Sequence, residues 1–103
     1  MSSPLPIDID AHAIETFCRE HHVRRLALFG SVLRPDFSDD SDVDLLVEFE
    51  PGHAPSFFEL FDMQERLSQH VGGRSVDLRT LEDLSRYFRH EVEQQAKSLY
   101  DAA

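Results

Sequence analysis

Gly30-Ser31 is followed, after ten residues, by Asp42-Val43-Asp44, and these positions carry most of the chemistry that can be read in the chain. Leu26 to Phe29 form an unbroken apolar run, as a strand buried on both faces would, and Gly30 then lets the backbone turn sharply and come close to a ligand. Ser31 adds a hydroxyl at the turn. Beyond a polar loop rich in Ser and Asp, alternation resumes: Val43, Leu45, Val47 and Phe49 share one face of a second strand, and Asp42 and Asp44 fall on the other. Residues two apart on a strand stand about 6.8 Å apart with their side chains pointing the same way. Two such carboxylates can converge on hard cations. A pair of magnesium ions roughly 3.5–4 Å apart is what phosphoryl and nucleotidyl transfer uses to hold the attacking and leaving oxygens.

The elements that must position these residues can be laid out from the rest of the pattern. Asp8 or Asp10 can cap a first helix whose Ala13, Ile14, Phe17 and Cys18 form an apolar stripe, ended by His21 and His22. A strand from Val23 to Phe29 leads into the Gly30-Ser31 turn and at most one helical turn, because Pro35 lacks an N–H and biases Arg34 away from helical geometry. The second strand runs from about Asp42 to Phe49 and is broken by Pro51-Gly52. Ser56-Phe57-Phe58-Glu59 is a capping box, opening a helix predicted to bury Phe57, Leu60, Phe61, Leu67 and Val71 and to stop at Gly72-Gly73. Ser75 to Arg79 reads as a third strand with Val76 and Leu78 on one face and Asp77 on the other. Thr80 can cap a last helical region reaching Tyr100, with Leu84, Phe88, Val92, Ala96 and Leu99 toward the core and a break near Arg89 to Glu91. The order helix, strand, strand, helix, strand, helix predicts one α/β (α+β) domain over residues 1–103, a small mixed sheet flanked by helices.

Composition limits what such a domain does. A chain of 103 residues holds one modest core, burying roughly 60–65% of its unfolded surface. With 41% hydrophobic and 29% charged residues it has the balance of an ordinary soluble protein, and no stretch approaches the roughly 20 apolar residues of a membrane span. The N-terminus lacks the regions of a signal peptide, and the lone Cys18 has no partner for an internal disulfide, so a cytoplasmic protein is expected. A net charge of −10 argues against tracking a nucleic-acid backbone, since that affinity comes from clustered Lys and Arg. A nucleotide bound with its magnesium ions is a different ligand, and acidity also suits docking on a basic protein.

The acidic run has blander readings. Ser38-Asp39-Asp40-Ser41-Asp42 taken alone is most simply a solvated turn. Asp44, however, lies inside a strand, where Asp is disfavoured, and a mere turn gives no reason for it. An EF-hand loop starting at Asp40 would need Gly at its sixth position and Glu at its twelfth; Leu45 and Pro51 stand there. The six histidines, at positions 12, 21, 22, 53, 70 and 90, show no metal-ligand spacing and read as surface or helix-end residues. His53 and Arg79 lie nearest the acidic site in sequence.

The run from Gly30 through Asp44, with Asp77 on a later strand, resembles the nucleotidyltransferase fold of the DNA polymerase β superfamily, specifically its minimal nucleotidyltransferase branch. The likeness extends over most of the chain, through Arg34, the segment DLLVEFEPG from Asp44 to Gly52, SVDLRT, and LSRYFRHEV followed by Leu99-Tyr100. It implies that Gly30 and Ser31, with Arg34 and Ser41, bind the nucleotide, and that Asp42 and Asp44 bind two magnesium ions. Asp77 would complete the metal site near the incoming hydroxyl. Pro35 stands where many relatives have Gly or Asp, and Arg34 either contacts phosphate or pairs with a loop aspartate. Larger nucleotidyltransferases resembling this core add domains to hold the acceptor; a chain this short is expected to meet an acceptor that brings its own surface. The resemblance implies an antitoxin paired with a HEPN-domain ribonuclease toxin, transferring AMP from ATP to a tyrosine hydroxyl of the toxin. A binding module that keeps the fold and neutralises its partner by stoichiometric contact is the alternative.

Overall fold

A computed structural model of the chain describes residue 7 and residues 9–33, 41–80, 84 and 86–102, without the side chains of residues 31, 86 and 88. Its first helix, α1 (Ala11–Glu20), starts where Asp10 caps it: the Asp10 carboxylate accepts the Ala13 N–H at 3.1 Å. Ile14, Phe17 and Cys18 form its buried stripe, as their spacing predicts. His22 turns the chain with φ +58 into strand β1 (Val23–Phe29), which ends in a single 3₁₀ turn, Gly30–Leu33. Strand β2 (Val43–Phe49) follows, then α2 (Phe57–His70), strand β3 (Val76–Thr80), α3 (Arg86–Gln95) and strand β4 (Lys97–Asp101).

The sheet has the order β3-β2-β1-β4. β1 runs antiparallel to β2 and β4, and β2 runs parallel to β3, with α2 as the crossover that a parallel pair requires. Leu26, Leu28, Val43, Leu45, Val47, Val76 and Leu78 pack into one cluster with Ile14, Phe17 and Cys18 of α1 and Met63, Leu67 and Val71. The core therefore lies between the helices and one face of the sheet. The other face carries Arg25, Asp44, Glu48, Asp77 and Arg79, together with Ala27 and Leu46, a cross-strand pair that is buried as well. Burial of Leu26, Ala27 and Leu28 in succession bears out β1 as a strand covered on both faces. Among the described residues, no helix is long and apolar enough to cross a membrane.

Two predicted features are corrected. The last helical region does not reach Tyr100 and has no break near Arg89 to Glu91: α3 runs unbroken to Gln95, and residues 97–101 form a fourth strand. Leu26 pairs with Tyr100 and Leu28 with Lys97, so the free edge of β1 supplies hydrogen bonds that a helical continuation would forgo. Local pattern does not reveal that non-local gain. Leu84, Val92, Ala96 and Leu99 are accordingly only half-buried, and the Phe88 side chain lies outside the description. The second correction concerns α2. Its buried residues are Met63 and Leu67, with Leu60 partly covered, while Phe57 and Phe61 face outward at 78% and 56% exposure. β3 is the last strand of the sheet, so the flank of α2 beyond it has no strand to cover it.

The ends of α2 are well determined. Ser56 Oγ accepts the Glu59 N–H at 3.2 Å and the Glu59 carboxylate accepts the Ser56 N–H at 3.4 Å, completing the predicted capping box. Near its middle, Gln64 Oε1 accepts the Leu78 N–H at 2.9 Å, satisfying a donor on the outer edge of β3. That bond ties the edge strand to the helix.

Candidate active site

The strand registers assemble the carboxylates. Asp44 is directly opposite Asp77 across the parallel β2–β3 pair, and opposite Phe29 across the antiparallel β1–β2 pair. Adjacent strands lie about 4.8 Å apart, so residues in register on one face are near neighbours. Asp42, two positions before Asp44, is exposed and immediately precedes the strand, while Asp44 and Asp77 are half-buried. None of the described polar or charged residues is buried outright, which leaves all three carboxylates reachable from solvent.

Gly30 sits against this cluster for two separate reasons. Its φ is +73, a conformation that L side chains rarely adopt. A Cβ at this position would also collide with Asp44 Oδ2 and lie 3.2 Å from Asp44 Cγ. The missing side chain is the space into which the Asp44 carboxylate leans. The turn expected at Gly30-Ser31 therefore adjoins the expected metal-binding strand in space as well as in sequence. Ser41 is half-buried at the entry to β2; Arg34 and the Ser31 hydroxyl lie outside the described residues.

Asp77 has a partner that only part of the sequence pattern foretells. Arg79, two residues on and so on the same face of β3, donates from Nε to Asp77 Oδ1 at 3.0 Å and from Nη2 to Asp77 Oδ2 at 3.1 Å. The period-2 spacing puts the two side chains together; that the guanidinium closes on both oxygens does not follow from spacing. Among the described residues, no three His, Cys, Asp or Glu side chains are drawn together as a set that could hold a metal ion. The donor set itself fits magnesium: hard carboxylate oxygens, partly solvated, on one face of adjoining strands. His53 stands elsewhere, stacked on His22 at 3.8 Å near the far end of β2, where Glu50 N–H donates to the His22 carbonyl. Cys18 is no nucleophile, since burial pushes its thiol up to about 12.

Residues 12–103 match the polymerase beta nucleotidyltransferase family, and the glycine turn and the carboxylates on neighbouring strands lie inside that match. The chain belongs to that family. It is 34% identical over 76 residues to a chain of Methanocaldococcus jannaschii that carries the provisional name protein adenylyltransferase, covering 73% of this chain and 75% of that one. Among solved structures, it resembles a toxin–antitoxin crystal structure with AMP-PNP at a TM-score of 0.71 and 21% identity, over 90% of this chain and 74% of the other. It also resembles a chain of the complex of a tri-AMPylated Shewanella oneidensis HEPN toxin with its MNT antitoxin, at a TM-score of 0.63 and 20% identity, over 88% and 69% of the two chains.

Proposed function

We propose that this nucleotidyltransferase is a magnesium-dependent protein adenylyltransferase, cytoplasmic, that transfers AMP from ATP to a tyrosine hydroxyl of a HEPN-type ribonuclease toxin and so acts as its antitoxin. The observation that carries the reading is the register of Asp44 opposite Asp77 with Gly30 pressed against Asp44. The adenylyltransferase name of the relative and the AMP-PNP and AMPylated-toxin complexes among the structural neighbours support it.

In this reading the backbone N–H groups at Gly30 and Ser31 donate to phosphate oxygens, and Ser41 and Arg34 are further nucleotide-binding residues. Asp42 and Asp44 would hold the magnesium ions. Those ions, when bound, neutralise the triphosphate and polarise the α-phosphorus. The toxin tyrosine oxygen forms a bond to the α-phosphorus, the bond from that phosphorus to the bridging oxygen breaks, and pyrophosphate leaves. Asp77 positions the hydroxyl and accepts its proton on a lone pair that the Arg79 contact leaves open. The bidentate Arg79 contact is also the one observation that favours the second reading, a module that neutralises its partner by binding alone.

ATP labelled at the α-phosphate, magnesium and the proposed HEPN-domain partner decide between them. Label on the partner, abolished by Asp42→Asn with Asp44→Asn, is the expected result. Full inhibition of the toxin without label, retained by that double variant, would establish the binding module and overturn the enzyme.

A further inference from the structure

The exposed aromatic flank of α2 leads directly to Asp77. Phe57, Phe58 and Phe61 are 78%, 83% and 56% exposed, and the Phe57 and Phe58 rings meet edge to face with centroids 6.1 Å apart. Phe57, Phe61 and Gln64 form one wall of a groove of about 310 Å3 whose other wall is Asp77, Leu78 and Arg79. The groove thus wraps the outer edge of β3, joining an apolar helix flank to the third carboxylate of the site. Three large rings left uncovered on one short stretch of helix are an unusual surface for a protein with no use for them.

We infer that this groove is where the acceptor protein docks: a basic segment carrying apolar side chains lies along the Phe57–Phe61 flank and presents its hydroxyl toward Asp77. This rests on the adenylyltransferase reading above. Two observations select that occupant. The groove is continuous with the site, so whatever fills it is delivered to Asp77 rather than to a remote surface. The chain as a whole is acidic, with a net charge of −10. A second copy of the same chain would meet that charge with its own; a basic partner is drawn to it.

The test uses the full chain and the HEPN-domain protein proposed as its partner. Phe57→Ser with Phe61→Ser changes two exposed side chains, so the variant is expected to keep its melting temperature and its affinity for AMP-PNP. Its dissociation constant for the partner, measured calorimetrically without nucleotide, should rise at least about tenfold, as loss of aromatic anchors at an interface does. In the transfer assay KM for the partner should rise by a similar factor with kcat little changed, and wild-type affinity should fall as salt is raised. Unchanged partner affinity and KM in the double variant overturns the inference. So does a wild-type dimer that the two substitutions dissociate while partner affinity stays the same. If wild type binds the partner but moves no label, the transfer reaction fails and the docking surface is judged on the dissociation constants alone.

Discussion

Gly30→Ala should be costly for a reason that a second substitution can isolate. An L-residue forced to the φ of +73 found at Gly30 loses about 1–2 kcal/mol. The added Cβ must also displace the Asp44 carboxylate, whose Oδ2 occupies its place and whose Cγ would be 3.2 Å away. Overpacking of this kind costs a further ~1–3 kcal/mol, giving about 2–5 kcal/mol in all. In an Asp44→Ala background the carboxylate is gone and only the Asp44 Cβ remains, at an ordinary 3.4 Å. There Gly30→Ala should cost only the conformational part, about 1–2 kcal/mol. Urea denaturation of the four proteins measures this as a coupling of about 1–3 kcal/mol, with unchanged m-values. In the thermal transition each kcal/mol should appear as roughly 4–8 °C. If the two substitutions add within about 0.5 kcal/mol, the Asp44 carboxylate does not lean over Gly30, and the spatial link between phosphate turn and carboxylates fails. The single Gly30→Ala variant should in addition lose transfer activity, because Asp44 can no longer stay where it is.

Three other substitutions probe the surroundings of the site. Arg79→Ala frees Asp77; because both partners are substantially exposed, the pair is worth no more than ~1 kcal/mol, so manganese affinity measured by EPR should rise by at most about fivefold, and not at all when Asp77 is already Asn. Manganese binding that weakens instead would make Arg79 part of the site rather than a competitor for Asp77. Gln64→Leu leaves the Leu78 N–H without its acceptor and should cost about 1–2 kcal/mol, seen as a lower melting temperature and faster amide exchange at Leu78; Gln64→Glu, which keeps an acceptor, should lose less. Cys18 sets an alkaline limit on stability: its thiol is pushed from 9.0 to about 12 in the fold, so the unfolded chain releases the proton first. The stability it confers is complete below pH 9 and falls above it, by up to about 1.4 kcal/mol per pH unit. Cys18→Ala should be less stable at pH 7 yet show a shallower decline between pH 9 and 11; parallel declines would refute the assignment.

What could be read in the chain follows the range of the forces involved. The second half of β1, Leu26 to Phe29, comes straight from an apolar run, and the caps of α1 and α2 from Asp10 and Ser56 with Glu59, since these contacts span only a few residues. Asp42 lies just before β2, and the placement of Asp44 and Asp77 on one face follows from strand periodicity alone. Their mutual register does not: that Asp44 meets Asp77 rather than Arg79 is set by the hydrogen-bond ladder between β2 and β3. β4 was illegible for the same reason, because its partner Leu26 lies more than seventy residues earlier. Phe57 and Phe61 fit a helical stripe as well as Leu60 and Leu67 do, and only the end of the sheet at β3 decides which of them finds a surface.

That last failure bears on function. Hydrophobic periodicity predicts burial because apolar side chains are normally covered, and α2 obeys it at Met63 and Leu67. Where the same helix departs from it, at Phe57 and Phe61, the uncovered rings are not scattered but border the groove that reaches Asp77. A departure at random would have no reason to fall beside the one strand edge that carries the third carboxylate. Gln64 sharpens the point: it spends its carbonyl on the Leu78 N–H, closing that donor on the β3 edge while the aromatic flank next to it stays open. The fold thus holds β3 and its Asp77 in place from the helix side and leaves an apolar approach to that carboxylate, as a nucleotidyltransferase needs when its acceptor is itself a protein.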